Sequence, residues 1–253
     1  MVSVLLFWIL FLFKPEKEQM EKKDIGKFLL CALMALAINQ MLFMKGLSYT
    51  YSIHASLLLL MTPILITFIA AWMLKERITI LKLTGLFLGV AGAIILVTTR
   101  VSTGKGENIL WGDLLILFSS IAYTFYFILV KPLMKKYSSI LVMRWIFTFG
   151  LFMIIPLCWK EFNMIPWKQF TGTGYLLMFL IAVPGTFLAY LFNVYGIKIL
   201  SASTAGAYIY LQPVFAVIIA VFYLNESLEL YKIAAAGLIF TGVFLANKKA
   251  RDL

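Results

Sequence analysis

Apolar residues run through this chain in long blocks separated by short polar turns. A bilayer core about 30 Å thick asks for roughly 20 such residues in a helix. Eight blocks meet or approach that length, at 28–47, 52–74, 80–98, 109–131, 140–159, 174–197, 202–224 and 231–247, and each predicts a transmembrane helix. The first apolar stretch, Met1 to Phe13, is too short, at about 20 Å of helix. With no charged leader and no small-residue cleavage site it does not read as a signal peptide, and it predicts the latter part of a helix. The expected fold class is all-α, a polytopic membrane protein with eight full transmembrane helices plus a partial N-terminal one.

The blocks also repeat. Displacing the sequence by 150 positions pairs Gly46 with Gly196, Ala55 with Ala205, Pro63 with Pro213, Leu74 with Leu224, Glu76 with Glu226, Lys82 with Lys232 and Gly92 with Gly242, without a gap. Pro, Glu and Lys are uncommon in so apolar a chain, so their matches argue for duplication. Five crossings separate equivalent helices, an odd number, and the second copy is therefore expected upside down relative to the first. The charges agree: Lys75, Glu76, Arg77 and Lys82 carry net +2, whereas Glu226, Glu229 and Lys232 carry net −1 in the equivalent turn. Inverted repeats recur in secondary transporters because exchanging the conformations of two related halves opens a central site to alternate sides.

Composition sharpens this reading. Hydrophobic residues make up 63% of the 253 and charged residues 13%, far from soluble-domain usage, and the mean hydropathy is +0.98. The net charge of +11 sits at the ends of the apolar blocks and points to anionic lipid head groups, not to nucleic acid. With the C-terminus in the cytoplasm, sixteen of the 22 Lys and Arg residues fall on that side, including the Lys14 to Lys27 loop and the Lys248 to Arg251 tail. Cys31 and Cys158 stand in apolar stretches without metal-ligand spacing, so neither a disulfide framework nor a metal site is expected.

Two segments carry a family resemblance. One runs Tyr51-Ser-Ile-His-Ala-Ser-Leu-Leu-Leu-Leu-Met-Thr-Pro63 and on to Leu74-Lys-Glu76. The other runs Ser201-Ala-Ser-Thr-Ala-Gly-Ala-Tyr-Ile-Tyr-Leu-Gln-Pro213 and on to Leu224-Asn-Glu226. Each passes from small residues through a mid-helix Pro to Leu-x-Glu and is followed by a Gly-rich helix. This pattern resembles the EamA family of the drug/metabolite transporter superfamily. The stretch Trp111-Gly112-Asp113 to Ala122-Tyr123, with Arg144 after it, is similar to the start of a family repeat. The resemblance implies two five-helix EamA-like repeats, an incomplete one at 1–100 and a second at 109–248. By the same offset Met1 corresponds to Leu151, inside a helix. The resemblance thus implies that the first helix and part of the second, roughly 40 residues at about 20 per span, are missing.

Polar side chains at bilayer depth cost free energy unless paired or wetted, so each marks a candidate substrate path. These are Asn39 and Gln40; His54 and Thr62; Tyr123 and Tyr126; Thr186, Tyr190 and Asn193; and Tyr208, Tyr210 and Gln212. Helical spacing puts Thr186, Tyr190 and Asn193 on one face, and Tyr208 with Gln212 on another. The plain alternative is hydrogen bonding between neighbouring helices. As stripes they favour a cavity, because the resemblance places these helices around the centre. The expected substrate-binding residues are Asn39, Gln40, Tyr123, Thr186, Tyr190, Asn193, Tyr208 and Gln212, with Tyr190, Asn193, Tyr208 and Gln212 foremost. Pro63 and Pro213 each remove a backbone donor and predict kinks at equivalent positions. His54, the only histidine, is expected near the outer interface, and Glu76 and Glu226 at turns.

Such a lining suits neutral or zwitterionic solutes, amino acids or related metabolites, moved by an exporter or facilitator. A catalytic constellation has little to be built from, so no enzyme and no cofactor are expected. The other reading kept open is a truncated, non-transporting remnant or an accessory membrane protein. The expected partners are a small-molecule substrate and the lipid bilayer. The faces around Gly85, Gly89 and Gly92 predict packing within the chain ahead of a homodimer. The expected location is a bacterial or archaeal plasma membrane.

Overall fold

The computed structural model describes residues 1–13, 19–98, 108–224 and 230–247. Lys14, Lys17, Arg100, Lys105, Glu226, Glu229 and the Lys248 to Arg251 tail lie outside those residues. Among the described residues the regular structure is helical, with no strand. In chain order the helices are Val2–Phe13 (α1), Lys22–Tyr49 (α2), Ser52–Leu59 (α3), Thr62–Leu74 (α4), Ile80–Thr98 (α5) and Ile109–Lys136 (α6). They continue with Ser139–Met164 (α7), Gly172–Ile199 (α8), Ala202–Ala207 (α9), Leu211–Leu224 (α10) and Leu230–Asn247 (α11). Among the described residues α2, the span His54–Leu74, α6, α7 and α8 are each long and apolar enough to cross a membrane. Large apolar side chains face outward, Trp72 at 79% and Phe222 at 77% exposure, as a lipid solvent permits.

The sequence blocks reappear as helices, with two kinds of departure. First, α6 and α7 run beyond 131 and 159 to Lys136 and Met164, so Lys131, Lys135, Lys136 and Lys160 lie on helices and not in loops. Long lysine stems can lie along a helix end while the ammonium reaches water. Second, the 202–224 block is interrupted: α9 stops at Ala207, a tight turn spans Tyr208–Tyr210, and α10 resumes at Leu211. The 52–74 block breaks at the matching place, Leu60 and Met61, between α3 and α4. Pro63 and Pro213 follow these breaks, and each lacks the N–H that would bond the carbonyl four residues earlier.

Helix starts follow local chemistry. The hydroxyls of Ser138, Thr171 and Ser201 accept from the N–H groups of Leu141, Gly174 and Thr204 at 3.1, 3.3 and 3.1 Å, fixing the starts of α7, α8 and α9. Lys75, at φ 55°, closes α4 in the left-handed conformation. Two helices carry a wide, π-type turn, Leu33–Ile38 in α2 and Val183–Leu188 in α8. These six-residue turns coincide under the 150-residue displacement, so the duplication extends to backbone irregularity. Pro184 supplies the cause in α8, since it has no N–H to give.

The chain forms two compact units, each made of two stretches. In the unit Met1–Ile38 with Leu129–Ile199, α1 lies on α7. Phe7, with no exposed surface, has its ring centroid 5.0 Å from that of Phe147 and 4.6 Å from that of Phe187. Ser3 donates to the Ala182 carbonyl at 3.1 Å, and Trp8 Nε1 donates to Thr148 Oγ1 at 3.1 Å.

In the unit Asn39–Ile128 with Leu200–Leu253, α5 and α11 pack backbone to backbone. A Cβ added at Gly85 would lie 2.5 Å from the Gly242 carbonyl oxygen, and one at Gly92 2.6 Å from that of Ala235. By the displacement Gly85 corresponds to Ala235 and Gly92 to Gly242, so the two contacts are images of each other. Residue numbers rise along α5 as they fall along α11, so the equivalent helices run antiparallel. The two repeats therefore have inverted topology.

Candidate functional site

The sequence-derived residues divide between the two units. In the first, Tyr190 follows the wide turn of α8, and its hydroxyl donates to the Ala35 carbonyl in the wide turn of α2 at 3.3 Å. A π-type turn leaves a carbonyl without its usual i+4 partner, so a phenol from the equivalent helix fits there. The Tyr190 ring meets Phe147 edge-on at 5.2 Å. Thr186 hydrogen-bonds the Ile181 carbonyl of its own helix at 2.8 Å, so its hydroxyl is engaged within the turn. Asn193 is half-buried one turn from Tyr190, and Phe192 and Tyr195 beside it are exposed.

In the second unit, Asn39 Nδ2 donates to the Ser119 carbonyl at 3.0 Å, tying α2 to α6, and Gln40 is half-buried beside it. Tyr123 lies one turn beyond Ser119, with its ring 5.8 Å from Tyr126 and 5.2 Å from Phe127. Tyr208 and Gln212 are both exposed, on either side of the break between α9 and α10. Pro63 is buried, and the adjacent Thr62, 3% exposed, has a hydroxyl without a hydrogen-bond partner among the described residues.

His54 does not stand alone at an interface. Its Nδ1 lies 3.1 Å from Asp113 Oδ2, while Thr50 donates to Asp113 Oδ1 at 2.5 Å. This links the end of α2, the start of α3 and the start of α6. Gly46 and Gly112 allow that approach: a Cβ on Gly46 would be 2.9 Å from the Gly112 carbonyl oxygen. Glu76 also has a defined partner, the start of α9. Its carboxylate accepts from the Ala202 N–H at 2.8 Å, the Ser203 N–H at 3.3 Å and the Ser203 hydroxyl at 2.7 Å. Burial disfavours the charged form, yet these bonds and Lys82 at 3.9 Å outweigh it and hold the carboxyl below the ordinary glutamate range.

Several groups have partners that the sequence did not indicate. Asp24, 3% exposed, accepts from Lys136 at 2.6 Å, Lys27 at 2.9 Å and the Tyr137 hydroxyl at 2.8 Å. Glu21 pairs with Lys136 at 2.7 Å, and hydrogen bonds from Lys136 and Lys23 lower its carboxyl pKa. Arg144, 6% exposed, has its guanidinium 3.7 Å from the Phe11 ring centroid and 4.8 Å from that of Trp8, an aromatic seat for a cation at a helix start. Tyr210 is fully buried and donates to the Leu60 carbonyl at 3.1 Å. A signal was present for Arg144, a cation within an apolar run. Asp24 and Tyr210 owe their roles to pairing that no local pattern encodes.

Comparison with known proteins adds an independent line. A model described as the EamA-like transporter family matches residues 1–98 and 110–248. The uncharacterized transporter YetK of Bacillus subtilis (strain 168) is 23% identical over 251 residues, covering 99% of this chain and 76% of its own length. An uncharacterized transporter of Archaeoglobus fulgidus is 24% identical, over 97% of this chain and 83% of its own. A protein described as a probable terminal-alkyne amino-acid exporter, from Streptantibioticus cattleyicolor, is 24% identical over 90% of this chain and 74% of its own. One solved crystal structure superposes with a TM-score of 0.80 at 16% identity, covering 97% of this chain and 83% of that one.

Proposed function

The chain belongs to the EamA-like transporter family and is an integral membrane transporter, and from that premise we propose that it moves small neutral or zwitterionic metabolites, amino acids or their relatives, by alternating access. The observation that carries this reading is the matched pair of backbone interruptions. Wide turns occupy Leu33–Ile38 and Val183–Leu188, and spans break before Pro63 and Pro213. Helices that must bend in opposite senses in the two halves need weak points at equivalent places, and broken helices free carbonyls for ligands.

The side chains at these weak points are Tyr, Asn, Gln and Thr. Among the described residues the carboxylates Asp24, Glu76 and Asp113 sit near helix ends, each with partners. Such a lining hydrogen-bonds amino and carboxyl groups without imposing a fixed charge. The exporter among the relatives is in keeping with an amino-acid solute. The excess of Lys and Arg on one side of the expected spans supports a cytoplasmic C-terminus, and the bacterial and archaeal relatives are in keeping with a plasma membrane of such a cell.

Counterflow into proteoliposomes tests the proposal, with a panel of radiolabelled neutral aliphatic and aromatic amino acids. Flux several-fold above protein-free vesicles for at least one solute is expected. No flux for any member, from monodisperse protein of full helicity, refutes the substrate class.

A further inference from the structure

We infer that Tyr210 is a one-sided latch on the internal two-fold axis, holding the described conformation against its alternate. The inference rests on the alternating-access reading above. Tyr210 lies in the turn that interrupts the 202–224 block, and Leu60 lies in the break of the 52–74 block. The Tyr210 hydroxyl donates to the Leu60 carbonyl at 3.1 Å, with both residues buried.

These two positions are counterparts under the 150-residue displacement. A contact between a residue and its own counterpart is its own image, so it lies on the axis that relates the halves. The α5 and α11 contacts, Gly85 with Gly242 and Gly92 with Ala235, are arranged about that same axis.

An axial contact would survive exchange of the two half-conformations unchanged if both residues were alike. Here they are not. Leucine has no hydroxyl, so the image bond, from side chain 60 to carbonyl 210, cannot form. The seats differ as well. A Cβ on Gly89 would collide with the Tyr210 ring, so the ring occupies the room that glycine leaves. The counterpart of Gly89 is Ile239, a branched side chain where the other half has none, so the image position lacks the room that glycine leaves. The hydroxyl bond and the aromatic seat therefore exist in one of the two exchanged states and have no equivalent in the other. Tyr210 is a positioning residue for the conformational step, acting through the Leu60 backbone.

The test uses the full chain with Cys31→Ser, Cys158→Ser and a reporter, Gln212→Cys. The reporter is labelled by a membrane-impermeant maleimide from outside in intact cells and from the cytoplasmic face in inverted vesicles. Tyr210→Phe removes the hydroxyl and keeps the ring. It is expected to shift the ratio of the two labelling rates by about fivefold, the factor a typical net hydrogen bond confers, toward the face less labelled with Tyr210. Gly89→Ala, which crowds the ring and keeps the hydroxyl, is expected to shift the ratio the same way. Two-sided labelling whose ratio stays within twofold in both variants overturns the latch and leaves alternating access standing. Labelling from one face only, in the parent and both variants, overturns both.

Discussion

Removing the Glu76 carboxylate tests whether the end of α4 is pinned to the start of α9. Glu76→Ala deletes the acceptor for three donors, the Ala202 N–H, the Ser203 N–H and the Ser203 hydroxyl, at 2.8, 3.3 and 2.7 Å. Hydrogen bonds to charged groups contribute about 1.5–3 kcal/mol each, and bonds sharing one carboxylate do not add. The N–H groups of α9 can turn to water at the helix end, so the cost is set at about 3 kcal/mol. At about 2–4 °C per kcal/mol for a chain of this size, the melting temperature should fall by roughly 6–12 °C. Glu76→Gln keeps one oxygen but turns an amide toward the Ser203 donors, and about half that loss is expected.

The pH dependence follows from the direction of the shift. The folded carboxyl titrates below its unfolded value, so its contribution is complete above the unfolded pKa near 4.3 and fades as pH falls through the folded one. Intrinsic tryptophan fluorescence during heating in detergent, at pH 7 and pH 4, reports both. A Glu76→Ala melting point within 2 °C of the parent at pH 7, or a deficit that grows as the pH is lowered, refutes the reasoning.

Three further outcomes can be measured on the same preparations. Gly46→Ala should lower the melting temperature by several degrees because its Cβ meets the Gly112 carbonyl oxygen at 2.9 Å, whereas its counterpart Gly196→Ala, with nothing within 4 Å, should leave it unchanged or slightly raised. Thr62→Val should leave the melting temperature unchanged or higher, since it removes a buried hydroxyl without a hydrogen-bond partner among the described residues; a loss of about 1 kcal/mol or more would show that the hydroxyl is satisfied. Asp24→Asn should lower the melting temperature, because Lys136, Lys27 and Tyr137 converge on that one carboxylate. Asp24→Asn combined with Lys136→Met should recover part of the loss in a double-mutant cycle.

Much of the architecture is legible residue by residue. A bilayer imposes one rule on every backbone group it touches, so a long apolar block can only be a helix, and nine blocks are read without knowing how they pack. The displacement of 150 is equally local, since it compares residue types and not contacts. It pairs Pro63 with Pro213, each of which follows a helix interruption, and it pairs α5 with α11, which pack together. Pairing is another matter. Tyr208 and Tyr210 are two residues apart in the same block, yet Tyr208 is 42% exposed and Tyr210 fully buried. A regular helical wheel does not hold across the Tyr208–Tyr210 turn, so spacing could not say which phenol turns inward. The wide turn at Leu33–Ile38 contains no proline or glycine, and Asp24 gains its meaning from Lys136, 112 residues away. Sequence alone indicated which segments can cross the membrane, because lipid acts on each residue separately, and that its two repeats run in opposite senses, because the displacement compares residue types. Only the tertiary structure decided which polar groups are used up inside the protein, because a hydrogen bond belongs to two residues and neither one records its partner.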